Sequence, residues 1–254
     1  MIPFFRRIRK KLADDNQLFK YSRYAIGEIV LVVLGILIAL QVNNWNQNKN
    51  LRKTEIKLLQ ELKKDLAETE VDLLSDIEKA HRMLKITDSL YQKITKNRIE
   101  NKVLPVKFSM TYLYDRSHLY PKKSAYESLQ AHGINLVSND SLRKSITDFF
   151  ELQLGRVRDL EKFIKDLSEK ELDSFFIKFS KDVNNCENCE SLEDMLSSGS
   201  DLSSNFYQID EPTDELLHLL KKNYMAYSEL TRRYAATQLK IENLMHLIDV
   251  ETET

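Results

Sequence analysis

The longest uninterrupted apolar run of the chain lies near its N-terminus. From Ile29 to Leu40 twelve consecutive residues have no polar side chain, and the flanks extend this character over 25–42. A helix rises about 1.5 Å per residue, so a run of this length nearly crosses a hydrocarbon core about 30 Å thick. Tyr24 and Trp45 bracket it, where membrane interfaces favour amphipathic aromatic residues. The pattern predicts a transmembrane helix at 25–45.

The flanks of this run favour a retained anchor over a cleaved signal peptide. The preceding region is 24 residues long, and the run continues into LQVNNWNQNKN, which has no small-residue cleavage site. Seven Lys and Arg residues lie in the 20 positions before Ala25, and four lie in the 20 positions after Val42. The positive-inside rule therefore predicts a cytoplasmic N-terminus, with the bulk of the chain outside the cytoplasm.

The basic segment 1–24 has a second predicted contact with the membrane. It carries seven basic and two acidic residues, a net charge of +5. Phe4 and Ile8 share a helical face that basic residues surround, so the segment either lies on an anionic leaflet or is a disordered arm that only sets topology. Phospholipid is the nearest anion, which disfavours nucleic-acid binding. The basic residues proposed for the membrane surface are Arg6, Arg7, Arg9, Lys10 and Lys11.

Beyond the span, the composition predicts long helices with few turns. The chain has 5 Gly and 4 Pro among 254 residues, and 30% of its residues are charged. Average usage would give about 18 Gly and about 13 Pro. The first helix is expected to continue to about Ile94, with a Lys- and Glu-rich outer face as in KLLQELKKDLAETE. The inward positions keep a spacing of three to four: Leu59, Leu62, Leu66, Thr69, Leu73, Ile77, Ala80, Leu84, Thr87, Tyr91 and Ile94.

Helix-terminating signals divide the remaining chain. The alternating residues around 106–114 are interpreted as a connector with a short helix, because an isolated strand would have no partner. A helix at 122–132 ends at Gly133 in a Schellman-type cap. A long helix begins after the capping residues 138–140 and runs to about Phe179, with Gly155 marking a bend.

A loop and a last helix complete the fold prediction. Residues 181–211 are rich in Asn, Ser and Asp and predict a loop, and a helix follows from Pro212 to about Ile248. Its predicted inward stripe is Leu217, Leu220, Tyr224, Tyr227, Tyr234, Ile241, Met245 and Ile248. Helices with one apolar stripe must bury it on one another. We therefore expect an all-α fold at 46–254, an antiparallel bundle of three to four helices continuing from the transmembrane helix.

Two small groups of residues are candidate sites. Cys186 and Cys189 lie in the predicted loop, and an oxidising compartment would favour a disulfide. A redox pair is disfavoured by the neighbouring acids, a zinc site would need further ligands, and free thiols stay open. Glu28 lies in the first turn of the span, either at the interface or as a functional intramembrane acid. Gly35 and Ala39 would allow close approach of two spans and thus a homo-oligomer.

Two blocks of sequence resemble a known family. YAIGEIVLVVLGILIALQVNNWN, within residues 4–46, and PKKSAYESLQAHGINLVSNDSL at 121–142 resemble an uncharacterised family of single-span envelope proteins of Gram-negative bacteria. His132 and Val137 depart from its pattern, which has a small residue and Ile there. The resemblance implies an inner-membrane location with a periplasmic helical domain, and it implies that Glu28, Tyr126 and Glu127 matter. It supplies no activity.

These observations predict a non-enzymatic membrane protein with no cofactor and no metal ion. The five histidines show no ligand spacing, and no phosphate-binding loop or nucleophile motif occurs. The expected partners are the lipid bilayer and another envelope protein that the bundle scaffolds. The alternative is a ligand sensor. Only 24 residues precede the span, so a sensor would signal through a partner protein.

Overall fold

The computed structural model describes residues 18–100, 106–109, 117–179, 181–182, 206–209 and 213–253. Six α-helices occur in this described part: α1 Leu18–Ile99, α2 Ser124–His132, α3 Asp140–Thr147, α4 Leu154–Leu167, α5 Asp173–Phe179 and α6 Asp214–Glu253. Three strands also occur there, β1 Val106–Ser109, β2 Lys181–Asp182 and β3 Phe206–Ile209. The chain divides into two compact units, Met1–Lys57 and Leu58–Thr254.

The second unit has an all-α bundle, as the sequence predicted. Three polar pairs join α1 to α6 in antiparallel order. Lys63 Nζ lies 2.5 Å from Asp249 Oδ1, Asn223 Nδ2 donates to Thr87 Oγ1 at 3.2 Å, and Arg98 pairs with Asp214. Residue numbers rise on one helix as they fall on the other. Leucines at the expected spacing on α1, including Leu59, Leu62, Leu66 and Leu73, are at most 1% exposed.

A nearly continuous helical run at 140–179 also packs against α6. Gln153 Nε2 donates to Thr237 Oγ1 at 2.8 Å, and Lys222 Nζ lies 2.6 Å from Glu171 Oε1, so this pairing is antiparallel too. The run begins where the sequence predicted, because the Asn139 side chain accepts from the amides of Ser141 and Leu142. It ends at Phe179, also as predicted.

Two π-helical segments interrupt this run, at Asp148–Gln153 and Ser168–Leu172. The first lies directly before the position where Gly155 predicted a bend. A π turn adds one residue to the helical repeat, which alters the phase of the residues that follow. Phe149 and Phe150 are 1% and 5% exposed, so consecutive aromatic rings both lie in the core.

The strands form a three-stranded antiparallel sheet in the order β1-β3-β2. Val106 pairs with Ile209 and Ser109 with Phe206, while Lys181 pairs with Gln208. The connector with a short helix predicted around 106–114 is therefore wrong at 106–109. The partner of this strand lies about 100 residues away, inside the predicted loop 181–211. Most of that loop lies outside the described residues.

Gly133 ends α2 but does not form the predicted Schellman cap. Its φ of 91° and ψ of 122° are not left-handed helical, and its N–H donates to the carbonyl of Gln130. A 3₁₀ turn at Ile134–Leu136 follows. Ile134, the residue after Gly133, packs against the hydrophobic core.

Candidate functional site

One face of α1 presents polar rather than apolar side chains to the segment 117–125. We call this set the polar seam, and its members recur with a spacing of four, three and four residues. Such a spacing places side chains on one side of a helix. The polar seam consists of Asp65, Thr69, Asp72 and Asp76. Its contacts below run antiparallel to the segment, from Asp65 at its end to Asp76 at its beginning.

The first part of the polar seam fixes the start of α2. Asp65 Oδ2 accepts hydrogen bonds from Ser124 Oγ and from the Ala125 N–H, both at 2.8 Å. The residue at the N-cap position of α2, Lys123, makes no capping hydrogen bond with its own side chain. Asp65 therefore caps α2 from another helix, and its charge lies at the positive end of the helix dipole. Thr69 Oγ1 accepts from the Lys122 N–H at 2.9 Å.

At the other end of the seam, two buried acids hold three consecutive residues. Ser117 Oγ donates to the Asp76 carbonyl at 3.0 Å, and the His118 N–H donates to the Asp76 carboxylate. The Leu119 N–H donates to Glu161 Oε1 at 2.9 Å. The Asp76 and Glu161 side chains are 5% and 3% exposed. We call residues 117–119 the strap, because they join α1 to α4.

Three further polar groups surround the two carboxylates. Lys79 Nζ lies 3.1 Å from Asp76 Oδ1, and His118 Nδ1 lies 2.9 Å from Glu161 Oε2. From α6, the fully buried Tyr234 donates its hydroxyl to Glu161 Oε1 at 2.6 Å. Two carboxylates thus face one ammonium group and one imidazole, and the imidazole is charged only when protonated.

Burial dominates the electrostatics of this cluster. It raises the pKa of Asp76 above 3.8, although the hydrogen bond and charge of Lys79 oppose the shift. It also raises the pKa of Glu161 above 4.5, while the bonds from Tyr234 and Leu119 act in the opposite direction. Burial and the Glu161 charge raise the pKa of Tyr234, so its hydroxyl stays a donor. The two buried carboxyl groups, of Asp76 and Glu161, can therefore bind a proton.

A shallow groove lies between α1 and α6. Its volume is about 230 Å³, and Tyr224 on its wall is 42% exposed. The sequence prediction that Tyr224 faces the core is therefore wrong, because the buried positions of this turn are Asn223 and Tyr227. The groove is lined by Thr87, Asp88, Tyr91, Gln92, Leu220, Lys221 and Tyr224.

Among the described residues, none of those predicted to form sites belongs to the set Asp76, Lys79, His118, Glu161 and Tyr234, which we call the acid cluster. Glu28 is half-buried within α1 of the first unit, and an added side-chain carbon at Gly35 would meet nothing within 4 Å. Ala39 is exposed. Cys186 and Cys189 lie outside the described residues, as do the basic residues Arg6, Arg7, Arg9, Lys10 and Lys11. Their predicted roles stay predictions.

The two other residues singled out by resemblance lie on α2, which the polar seam caps. Tyr126 stacks on Phe150 with ring centroids 4.2 Å apart, and its hydroxyl donates to Glu151 Oε1 at 2.8 Å. Glu127 is exposed in the first turn of α2. Tyr126 therefore holds α2 on the 140–179 run.

Sequence reasoning missed Asp76, Glu161 and His118, and it predicted Tyr234 only as a core residue. Acidic residues within Lys- and Glu-rich helices resemble a solvated face, and His118 lies in a stretch without clear periodicity. The available signal was the spacing of the polar seam, which repeats as regularly as the leucines. Within the described residues no group of three or more His, Cys, Asp and Glu side chains has metal-binding geometry.

The described part of the chain also has one helix long and apolar enough to cross a membrane. Its most apolar 18-residue window, near the N-terminus, has a mean hydropathy of 2.5, and none of that window is buried. The fold thus defines a class: a helical-bundle protein with a candidate N-terminal span.

Comparison with known proteins assigns the chain to a family. Residues 28–195 match a family of unknown function, DUF6090, and the chain belongs to that family. The match includes residues 28–42 of the apolar stretch, the polar seam, the strap and Glu161, and it ends before α6. No curated protein and no solved structure matches the chain.

Proposed function

We propose that this chain is a non-enzymatic, single-pass envelope protein whose helical domain acts through contacts with other proteins, as a scaffold or accessory subunit. The observation that carries the proposal is the apolar stretch 25–42. Its side chains are exposed, with Leu31 at 72% and Ile38 at 63%. An apolar surface this large needs another apolar environment, and a bilayer supplies one of the right thickness.

The charge distribution and the resemblance support the location. The excess of basic residues before the span supports a cytoplasmic N-terminus, with residues 46–254 on the other side of the membrane. The resemblance to Gram-negative envelope proteins supports the inner membrane and a periplasmic domain.

The groove between α1 and α6 supports a role in protein contacts. Two tyrosines lie on its walls beside one acidic and one basic residue. Tyrosine offers a large contact area at a small entropic cost, and it is enriched at protein interfaces. We expect a side chain of a partner protein to bind there.

Site-specific crosslinking in native membranes tests this function. A photoreactive phenylalanine derivative replaces Tyr224, and a control replaces Leu239, which is 58% exposed on the same helix, about 22 Å away. We expect one discrete protein adduct from position 224 that the control lacks. Adducts that are the same at both positions, or absent at 224, would contradict a partner in the groove.

Fusions test the membrane arrangement separately. A reporter that fluoresces only in the cytoplasm is attached to either end of the chain. We expect signal from the N-terminal fusion alone. Signal from the C-terminal fusion alone would contradict the proposed orientation.

The runner-up function is a sensor, and the acid cluster favours it. Two buried carboxylates joined to one short segment are a local arrangement that can respond to a change in solution. If the protein is a sensor, its set of crosslinked partners should differ between the two solution conditions. If it is a scaffold, the set should stay the same.

A further inference from the structure

The strap joins α1 to α4, and α6 contributes one side chain to the cluster that holds it. The numbers of negative and positive charges in this cluster are unequal. Asp76 lies on α1, Glu161 on α4 and Tyr234 on α6, and all three have side chains that are almost completely buried. The cations lie at the accessible edge: the Lys79 and His118 side chains are 34% and 47% exposed. With His118 neutral, the cluster holds two negative charges and one positive charge.

One added proton balances these charges wherever it binds. On either carboxylate it removes a charge from a buried position, where an ionised group is costly. The added proton lowers the cost of keeping the strap closed over an unbalanced charge, while Leu119 and Tyr234 stay within hydrogen-bond distance of Glu161.

We propose that Asp76 and Glu161 form a proton-binding latch that holds the strap more tightly in acidic than in alkaline solution. The titratable and charged groups facing the two acids are Lys79 from α1, His118 from the strap and Tyr234 from α6, with Tyr227 adjacent to Tyr234. This latch does not depend on a partner protein or on the orientation of the span.

The direction follows from linkage. Burial raises the pKa of both carboxyl groups in the folded protein above their ordinary values of 3.8 and 4.5. A group with a raised folded pKa adds stability that is complete below its unfolded pKa and is lost as pH rises through the folded value. The strap should therefore loosen as pH rises, which is the reverse of ordinary acid denaturation.

Hydrogen exchange of the full chain in lipid nanodiscs tests the latch. The measured quantity is the protection factor of the Leu119 amide between pH 4 and 8, corrected for the intrinsic exchange rate. Uptake of one proton changes an equilibrium by at most tenfold per pH unit. We expect protection to fall as pH rises, approaching that slope in part of the range.

Two variants assign the effect to the acids. Glu161→Gln keeps an oxygen to accept from Leu119 and Tyr234, and Asp76→Asn keeps one to accept from His118. Each substitution should make the protection factor of the Leu119 amide depend clearly less on pH than it does in the wild-type protein. The matched control is Asp166→Asn, an acid on α4 whose side chain is 45% exposed, and it should keep the wild-type slope.

Two results would contradict the latch. A protection factor that does not change between pH 4 and 8 in the wild-type protein, or that rises with pH, overturns the latch. Wild-type slopes in both Glu161→Gln and Asp76→Asn overturn it as well. If one variant fails to fold, the pH dependence of protection in the other variant and in the wild-type protein still tests the latch.

Discussion

Asp65 lets the docking of α2 be tested with a single substitution. Asp65→Ala removes two hydrogen bonds of 2.8 Å, one from the Ala125 amide and one from the Ser124 hydroxyl. Loss of a helix N-cap costs about 0.5–2 kcal/mol. A hydrogen bond to a charged group adds about 1.5 kcal/mol, less for a half-exposed site such as this one. We expect the free energy of unfolding to fall by about 2 kcal/mol.

Thermal unfolding of the full chain in detergent measures this change. For a domain of this size, 1 kcal/mol lowers the midpoint by about 2–4 °C. Asp65→Ala should therefore lower it by about 4–8 °C. Asp65→Asn keeps an acceptor but loses the charge, so its effect should be about half as large.

Asp72→Ala is the matched control on the same face of α1. Asp72 contacts Lys122 at 3.9 Å, and both side chains are 48% exposed, so the pair contributes about 0–1 kcal/mol. Its substitution should lower the midpoint by about 4 °C at most. If Asp65→Ala and Asp72→Ala lower the midpoint equally, Asp65 does not cap α2 and the reasoning is refuted.

Two further predictions concern Tyr126 and the cysteines. Burial and then the hydrogen bond to Glu151 raise the pKa of Tyr126 to about 12. Its contribution to stability is thus present below pH 10 and lost as pH rises from 10 to 12, and Tyr126→Phe should cost about 1–2 kcal/mol in urea unfolding at pH 7. An unchanged midpoint would contradict this role. Cys186 and Cys189 should resist alkylation before reduction, and Cys186→Ser with Cys189→Ser should lower stability little, because the closed loop is very short. Rapid alkylation would contradict a disulfide.

The sequence predicted the helices well because their determinants are local. The spacing of Leu59, Leu62 and Leu66 needs only a period near 3.6, and the cap at Asn139 needs only the residues that follow it. The buried face of α6 was harder to predict, because nearly every side of its first turns is apolar. Four leucines surround one histidine there: Leu216, Leu217, Leu219 and Leu220. Leu216 and Leu219 are buried, whereas Leu217 is only partly so.

The sheet and the acid cluster depend on contacts between distant residues. Val106 pairs with Ile209, and nothing near either residue specifies the other. Asp76 and Glu161 are charged residues in charged helices, so their burial follows only once the strap packs between α1 and α4. A polar side chain at a core-facing helical position indicates such a contact, but it does not identify the partner.

The polar seam gives a structural reason for the second block of the family resemblance. Ser124 binds the cap provided by Asp65, Tyr126 is held between Phe150 and Glu151, and Gly133 has a φ of 91° that other residues rarely adopt. These roles position α2 and require no reaction. The residues that can respond to solution, Asp76 and Glu161, lie outside that block but bind the strap directly before it. A change at the acid pair would therefore act first on the strap and then on α2.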